Sequence, residues 1–408
     1  MNFLQFFIWG AWLITIANYW FGKGIGNPSE FGKIFTTLGI SSIIMPTLTG
    51  IIADRWFNAE KLYGILHILS GMVIFFIPQV HDPNTFFWVM LLAMLFYMPT
   101  IALSNSVAYN ILKSENYDVV KVFPPIRVWG TIGFIAAMWA TNLTGNKSTE
   151  GQFYISAIAS FVLGVYSFTL PKCLPNKNIE TKSFAETFGL NAFSLFKNGK
   201  IAMFFVFAML LGAALQLTNM YGDRYVDNFK EVPEYADLFV VKYSTIIMSI
   251  SQVSETLFIL AIPFFLRKFG IKNVMLISML AWVLRFGLLA FGNPADGLWM
   301  IILSCIVYGM AFDFFNISGS LFIETQTDSK IRASAQGLFM MMVNGFGAII
   351  GSISSGYIIE NFFLKPDNSF DWKPIWLTFA AYAAVISVFF FIMFKHKHDP
   401  KDVENVSH

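Results

Sequence analysis

The sequence predicts an all-α membrane protein with twelve spanning helices, divided six and six. Three observations predict it. Of its 408 residues 56% are hydrophobic and 13% are charged, about half the charged share of a soluble domain, and mean hydropathy is +0.60. Apolar runs long enough to cross a ~30 Å hydrocarbon layer recur along the whole chain. One long basic connection, carrying Lys172, Lys177, Lys182 and Lys197 and followed by Lys200, divides those runs into equal halves.

In order, the expected spans are 3–22, 33–53, 62–80, 86–111, 125–144, 152–170, 200–221, 238–266, 273–291, 297–323, 334–359 and 375–394. The domains then read as an N-terminal bundle (1–170), a linker (171–199) and a C-terminal bundle with a short tail (200–408). In the linker, 183–196 is expected to form a surface helix with Phe184, Phe188, Leu195 and Phe196 inward. With both termini cytoplasmic, 18 of the 27 Lys and Arg fall on the cytoplasmic side and seven on the other, and Lys242 and Arg285 lie in or beside spans. That bias puts both ends inside. Trp9, Trp12, Trp88, Trp282 and Trp299 are candidates for interfacial anchors.

Several classes are excluded. Net charge is +2 and no basic patch is interleaved with aromatics, so no nucleic-acid partner is expected. Cys173 and Cys305 fall in a cytoplasmic connection and a span, which argues against a structural disulfide. There is no P-loop and no metal-ligand spacing. His67 and His81 are isolated, and His396, His398 and His408 sit in the tail. No metal or cofactor is expected, and no acidic or His-rich motif at a membrane edge supports an embedded transferase, so the chain is not expected to be an enzyme. The first apolar stretch follows Met1-Asn2 and reads as a full span, not a cleavable signal.

Polar residues inside the spans carry the functional signal. The 24-residue stretch 243–266 has one charge in its middle, Glu255, with Gln252 one turn earlier. A carboxyl group at that depth costs roughly 2.5–3.5 kcal/mol on the insertion scale. It is either a structural group bonded between helices or part of a proton or substrate site. Asp313 lies eleven residues before Glu324, ~16 Å from that end by helical rise, too deep for snorkelling. Tyr308 and Phe312 share a face, as do Gln216 and Asn219. In the fifth span Arg127, Thr131 and Phe134 form one stripe. Arg127 is a cytoplasmic-end anchor if the helix starts at Pro124-Pro125, and a deeper site residue if it starts near Val119. Gln5, Trp9, Trp12, Tyr19, Asn105 and Tyr109 are weaker cavity candidates, and Arg285 reads as structural.

Amides, a carboxylate, a guanidinium and aromatic rings together suit a polar, uncharged, planar ligand with several hydroxyls. The halves also echo each other. Gly50-Ile-Ile-Ala-Asp54-Arg55 closes the second span, and 213 residues later Pro263-Phe-Phe-Leu-Arg267-Lys268 closes the eighth. With the even split this suggests an internal duplication.

Gly50–Arg55 resembles the loop motif of the major facilitator superfamily. The segments FPPIRVWGTIGF (123–134), MLLGAALQLTNMYG (209–222), IIMSISQVSETLFIL (246–260), YGMAFDFFNISGS (308–320) and IRASAQG (331–337) resemble the nucleoside:proton symporters of that superfamily, over nearly the whole chain. The resemblance implies two pseudo-symmetric six-helix bundles, alternating access and proton-driven uptake of purine and pyrimidine nucleosides such as uridine and adenosine. It implies a monomer in the lipid bilayer of the bacterial inner membrane. Substrate binding then falls on Arg127, Thr131, Phe134, Gln216, Asn219, Gln252, Glu255, Tyr308 and Phe312. Proton coupling falls on Asp313 and Glu255, and the gating motif on Gly50, Asp54 and Arg55. The family pattern places an acidic residue where this chain has Ala214, so coupling rests on the two remaining carboxylates. A sugar or other polar-metabolite carrier of the same superfamily is the alternative.

Overall fold

The computed structural model describes residues 1–175, 190–328 and 331–397. The chain divides into two compact units, Met1–Phe188 with Asn219–Arg224, and Gly189–Thr218 with Tyr225–His408. The first unit contains α1 (Asn2–Gly10), α2 (Ile16–Gly22), α3 (Pro28–Arg55), α4 (Ala59–Phe76), α5 (Pro83–Ser114), α6 (Val119–Leu143) and α7 (Gly151–Ser167). Helix α1 packs along α6 and α7, α4 against α5 and α7, and α3 against α5.

The first expected span is broken, and hydroxyl groups account for the break. Ser156 donates to the Ile8 carbonyl at 2.7 Å and Thr141 to the Ala11 carbonyl at 3.1 Å. The Thr15 hydroxyl donates to Gln152 Oε1 at 3.0 Å. Carbonyls taken by side chains are no longer held by the helical ladder. The backbone between α1 and α2 tightens accordingly, with Thr15 N–H donating to Trp12 O at 3.1 Å and Asn18 N–H to Thr15 O at 2.9 Å. By contrast α3 starts cleanly. Asn27 accepts from Glu30 N–H at 2.8 Å while Glu30 accepts from Asn27 N–H at 2.9 Å, with Pro28 in the first turn.

The second unit contains α8 (Gly199–Asn228) except Asn219–Arg224, two short helices (Phe239–Lys242 and Ser244–Met248), then α9 (Ile250–Phe291), α10 (Leu298–Gln326), α11 (Arg332–Met340), α12 (Ala348–Ile358) and α13 (Trp372–Met393). Helix α9 packs along α10 and α13. Two π-helical segments, Met341–Gly347 and Ile359–Phe363, follow α11 and α12.

Among the described residues nine helices are long and apolar enough to cross a membrane. One of them, Ser244–Phe291, is 48 residues long and holds the eighth expected span from Ser244 onward together with the ninth. They join at Gly270, whose φ of 75° and ψ of 167° end one helix and begin the next. Only glycine adopts that backbone freely. Gly151–Ser167 is apolar but shorter, and the first span is the broken α1–α2 pair, so each of the twelve expected segments has a helical counterpart.

Two expectations change. In the stretch 183–196, residues 183–189, with Phe184 and Phe188, lie outside the described residues, and Leu190–Lys197 is a 3-10 helix against α11 rather than an α-helix. Leu195 and Phe196 are half-buried, and the Phe196 ring lies 5.4 Å from Phe205. Trp12 and Trp282 are 2% exposed and belong to the core, whereas Trp88 and Trp299 sit at the surface.

Candidate functional site

Within the second unit the polar candidates converge on α8, α9 and α10. Gln216 and Thr218 sit on α8, Ser251, Gln252 and Glu255 on the first arm of α9, and Tyr308, Phe312 and Asp313 on α10. Helices α9 and α10 touch at backbone level beside these residues. A Cβ on Gly309 would meet the Ser254 carbonyl at 2.7 Å, so only glycine permits the approach. The Ser254 hydroxyl donates to the Ile306 carbonyl. The Tyr308 hydroxyl is thereby within electrostatic reach of Glu255, Arg285 and Asp313, and Asp313 within reach of Glu255.

Several polar atoms of this cluster are buried without a hydrogen-bond partner among the described residues: Gln216 Oε1, Gln252 Oε1, Asp313 Oδ2 and Arg285 Nη2. Native interiors leave few such atoms, and each costs about 1–3 kcal/mol. The aromatic part is ordered. The Tyr308 and Phe312 rings are parallel, 5° apart in plane and 5.9 Å between centroids. Trp282 meets Tyr308 edge-on at 5.9 Å. A small cavity beside Phe312 is lined by Leu211, Trp282, Phe315, Asn316 and Val343. Parallel rings beside unsatisfied amide oxygens offer a face to a flat heterocycle and acceptors to its hydroxyls.

In the first unit α6 begins at Val119, ahead of both prolines. Arg127 therefore lies two turns inside the helix. Its guanidinium stands 4.2 Å from the centroid of the Phe6 ring. Thr131 is half-buried one turn on, and Phe134, 9% exposed, meets Trp9 edge-on at 6.4 Å. Asn219 is half-buried on α8, three residues beyond Gln216. At the end of α3, Gly50 is half-buried, Asp54 is exposed and Arg55 forms part of the last turn, where a cation suits the helix dipole.

His67 is not isolated. It is fully buried, and Nε2–H donates to Gln5 Oε1 at 2.9 Å. Tyr63 donates to the same oxygen at 2.6 Å, and Gln5 Nε2 donates to Thr100 at 2.9 Å. This network uses both ends of the Gln5 amide, which removes Gln5 from the cavity candidates. Asn105 and Tyr109 lie on α5, with the Tyr109 ring 4.5 Å from Phe123. Both cysteines are free and buried. No cluster of metal-ligating side chains occurs among the described residues.

A family model described as "Nucleoside H+ symporter" matches residues 1–399. The chain belongs to the nucleoside H+ symporter family. This symporter is 51% identical to the xanthosine permease of Escherichia coli K12 over 406 residues, covering 99% of this chain and 97% of the relative. It is 47% identical to nucleoside permease NupG of the same organism over 411 residues, covering 100% and 98%. The crystal structure of nucleoside transporter NupG superimposes with a TM-score of 0.91, covering 97% of this chain and 98% of the other, and a crystallised mutant of it gives 0.94 at the same coverage. The symporter has the major facilitator superfamily fold, and its relatives are transporters rather than enzymes.

Proposed function

We propose that this symporter takes up purine and pyrimidine nucleosides, uridine and adenosine among them, together with protons by alternating access. Family membership across nearly the whole chain carries the reading. The named substrate of the 51%-identical relative, xanthosine, supports a site that accepts purine ribosides. Two six-helix bundles, 1–170 and 200–408, joined by the 171–199 linker, reorient around the substrate as a monomer in the bacterial inner membrane with both termini cytoplasmic. The base stacks on Phe134, Phe312 or Tyr308. Its edge and the ribose hydroxyls engage Gln216, Asn219, Gln252 and Glu255, and Arg127 and Thr131 also bind ligand. Asp313 carries the coupled proton and Glu255 chiefly binds ligand. A neutral carboxyl removes a charge whose burial opposes reorientation. The loop motif Gly50, Asp54 and Arg55 gates the cycle.

Uptake of labelled uridine into cells lacking their own nucleoside carriers tests this. Accumulation is expected to collapse with a protonophore, to be competed by adenosine and to ignore disaccharides. Competition by disaccharides without competition by adenosine would support the sugar-carrier alternative instead.

A further inference from the structure

Arg285 is fully buried in the second arm of α9, and the three oxygens that accept from it are neutral. Nη1 donates to the Ser304 carbonyl at 2.7 Å and to Ser251 Oγ at 3.4 Å, and Nε donates to Thr218 Oγ1 at 3.3 Å. The Cys305 sulfur also lies against it. Burying a guanidinium costs several kcal/mol, and a well-packed apolar residue is often as stable or more so. Its position therefore matters more than its contribution to stability.

Each contact falls beside a proposed ligand residue. Thr218 lies between Gln216 and Asn219, Ser251 precedes Gln252, and Ser304 is one turn before Tyr308. One planar fork thus ties α8, the first arm of α9 and α10 at the level of the site. A lysine, with a single point of charge, reproduces neither the fork nor the stacking. The guanidinium also covers the Tyr308 ring, 4.6 Å from its centroid. With the cation on its face and Trp282 at its edge, Tyr308 has little freedom to turn. Phe312 lies parallel to it and is the more exposed ring of the two, half-buried where Tyr308 is 5% exposed.

We propose that Arg285 is the positioning residue of the nucleoside site. It holds Tyr308 so that Phe312 presents a fixed plane to the base. Preorganised stacking limits the ordering cost on binding. The proposal rests on the nucleoside reading above, and its test separates the two.

The test is a double-mutant cycle on the full-length protein in nanodiscs, read by uridine calorimetry. Arg285→Gln is expected to weaken binding about tenfold when Tyr308 is present and less than about threefold in a Tyr308→Leu background. Arg285→Lys is expected to resemble Arg285→Gln. Equal losses in both backgrounds, or unchanged affinity, overturn the proposal. If Arg285→Gln does not fold, Thr218→Val removes one restraint and keeps the charge. A loss of about threefold is expected there, and unchanged affinity overturns the proposal. Near-ultraviolet circular dichroism of the ligand-free protein reads the same coupling without substrate. Arg285→Gln, or Thr218→Val in its place, is expected to change the aromatic bands only when Tyr308 is present, and unchanged bands overturn the proposal. A parent protein that ignores uridine yet shows the spectral coupling sinks the nucleoside reading and leaves Arg285 as the residue that orders the rings.

Discussion

Tyr308 and Phe312 stand one helical turn apart with their rings parallel, 5° between planes and 5.9 Å between centroids. Neighbouring rings on a helix are free to tilt, and edge-on contacts are common elsewhere in this chain, as between Trp282 and Tyr308. Parallel rings present a flat face that suits a heterocycle whatever its substituents.

Phe312→Ala therefore removes the face most accessible to a base. Stacking of a base on an aromatic side chain is worth roughly 1–3 kcal/mol, so uridine affinity by calorimetry is expected to fall about five- to 150-fold. Phe312→Tyr keeps the ring and is expected to stay within about threefold. Full affinity in Phe312→Ala would remove this ring from the site.

Lys23 follows α2 and Glu150 precedes α7, and they pair at 2.6 Å. The ammonium holds the Glu150 carboxyl below its ordinary value. The folded chain then binds fewer protons than the unfolded chain in that window. The pair's stabilisation is thus complete above the unfolded glutamate value of about 4.3 and is lost as pH falls through the folded value. Both side chains are partly exposed, which limits the effect to about 1 kcal/mol or less and makes it salt-sensitive. Thermal unfolding of Glu150→Gln is expected to fall slightly below the parent at pH 7 and to converge with it in acid. A gap that widens in acid would contradict the pairing.

Much of this architecture was legible in the sequence, because hydrocarbon imposes length and composition on every span. The Arg267-Lys268 pair marked the close of the eighth span, and mid-span charges drew attention to Glu255 and Asp313. Arg127 could not be placed, because Pro124 and Pro125 suit either a helix start or an early turn. The start of α6 at Val119 sets it two turns into the helix. The proposed role of Arg285 was not legible for a different reason. Its partners Thr218, Ser251 and Ser304 come from three separate segments, and no spacing in the chain links them. The His67 hydrogen bonds were hidden likewise, since Gln5 and Ser160 come from distant parts of the sequence. Which face a helix turns inward followed from pattern, whereas which helices meet did not.

Cys173 lies after α7, where its N–H donates to Glu60 Oε2 at 2.8 Å. Burial, with the Glu60 charge nearby, pushes its thiol up to about 11. Thiolate is the reactive form, and an exposed thiol titrates near 8.5. In a Cys305→Ser background, iodoacetamide labelling at pH 7.5 is expected to run roughly a hundredfold slower than for a free thiol. It is expected to accelerate in Glu60→Gln, which removes the nearby charge. Rapid labelling of the parent at neutral pH would contradict this placement.

Asp313 is 5% exposed, Oδ2 has no hydrogen-bond partner among the described residues, and Glu255 is within electrostatic reach. A charged carboxylate so placed lacks the donors that normally stabilise a buried anion. Asp313→Asn keeps the shape of the neutral acid but can neither gain nor lose a proton. A carrier with this change still reorients with substrate, so exchange of labelled for unlabelled uridine across proteoliposomes is expected to persist. Concentrative uptake driven by an imposed pH gradient is expected to fall to the level reached without one. If Asp313→Asn still accumulates uridine against its gradient, the coupled proton rides elsewhere, and Glu255→Gln is the variant in which accumulation should then be lost.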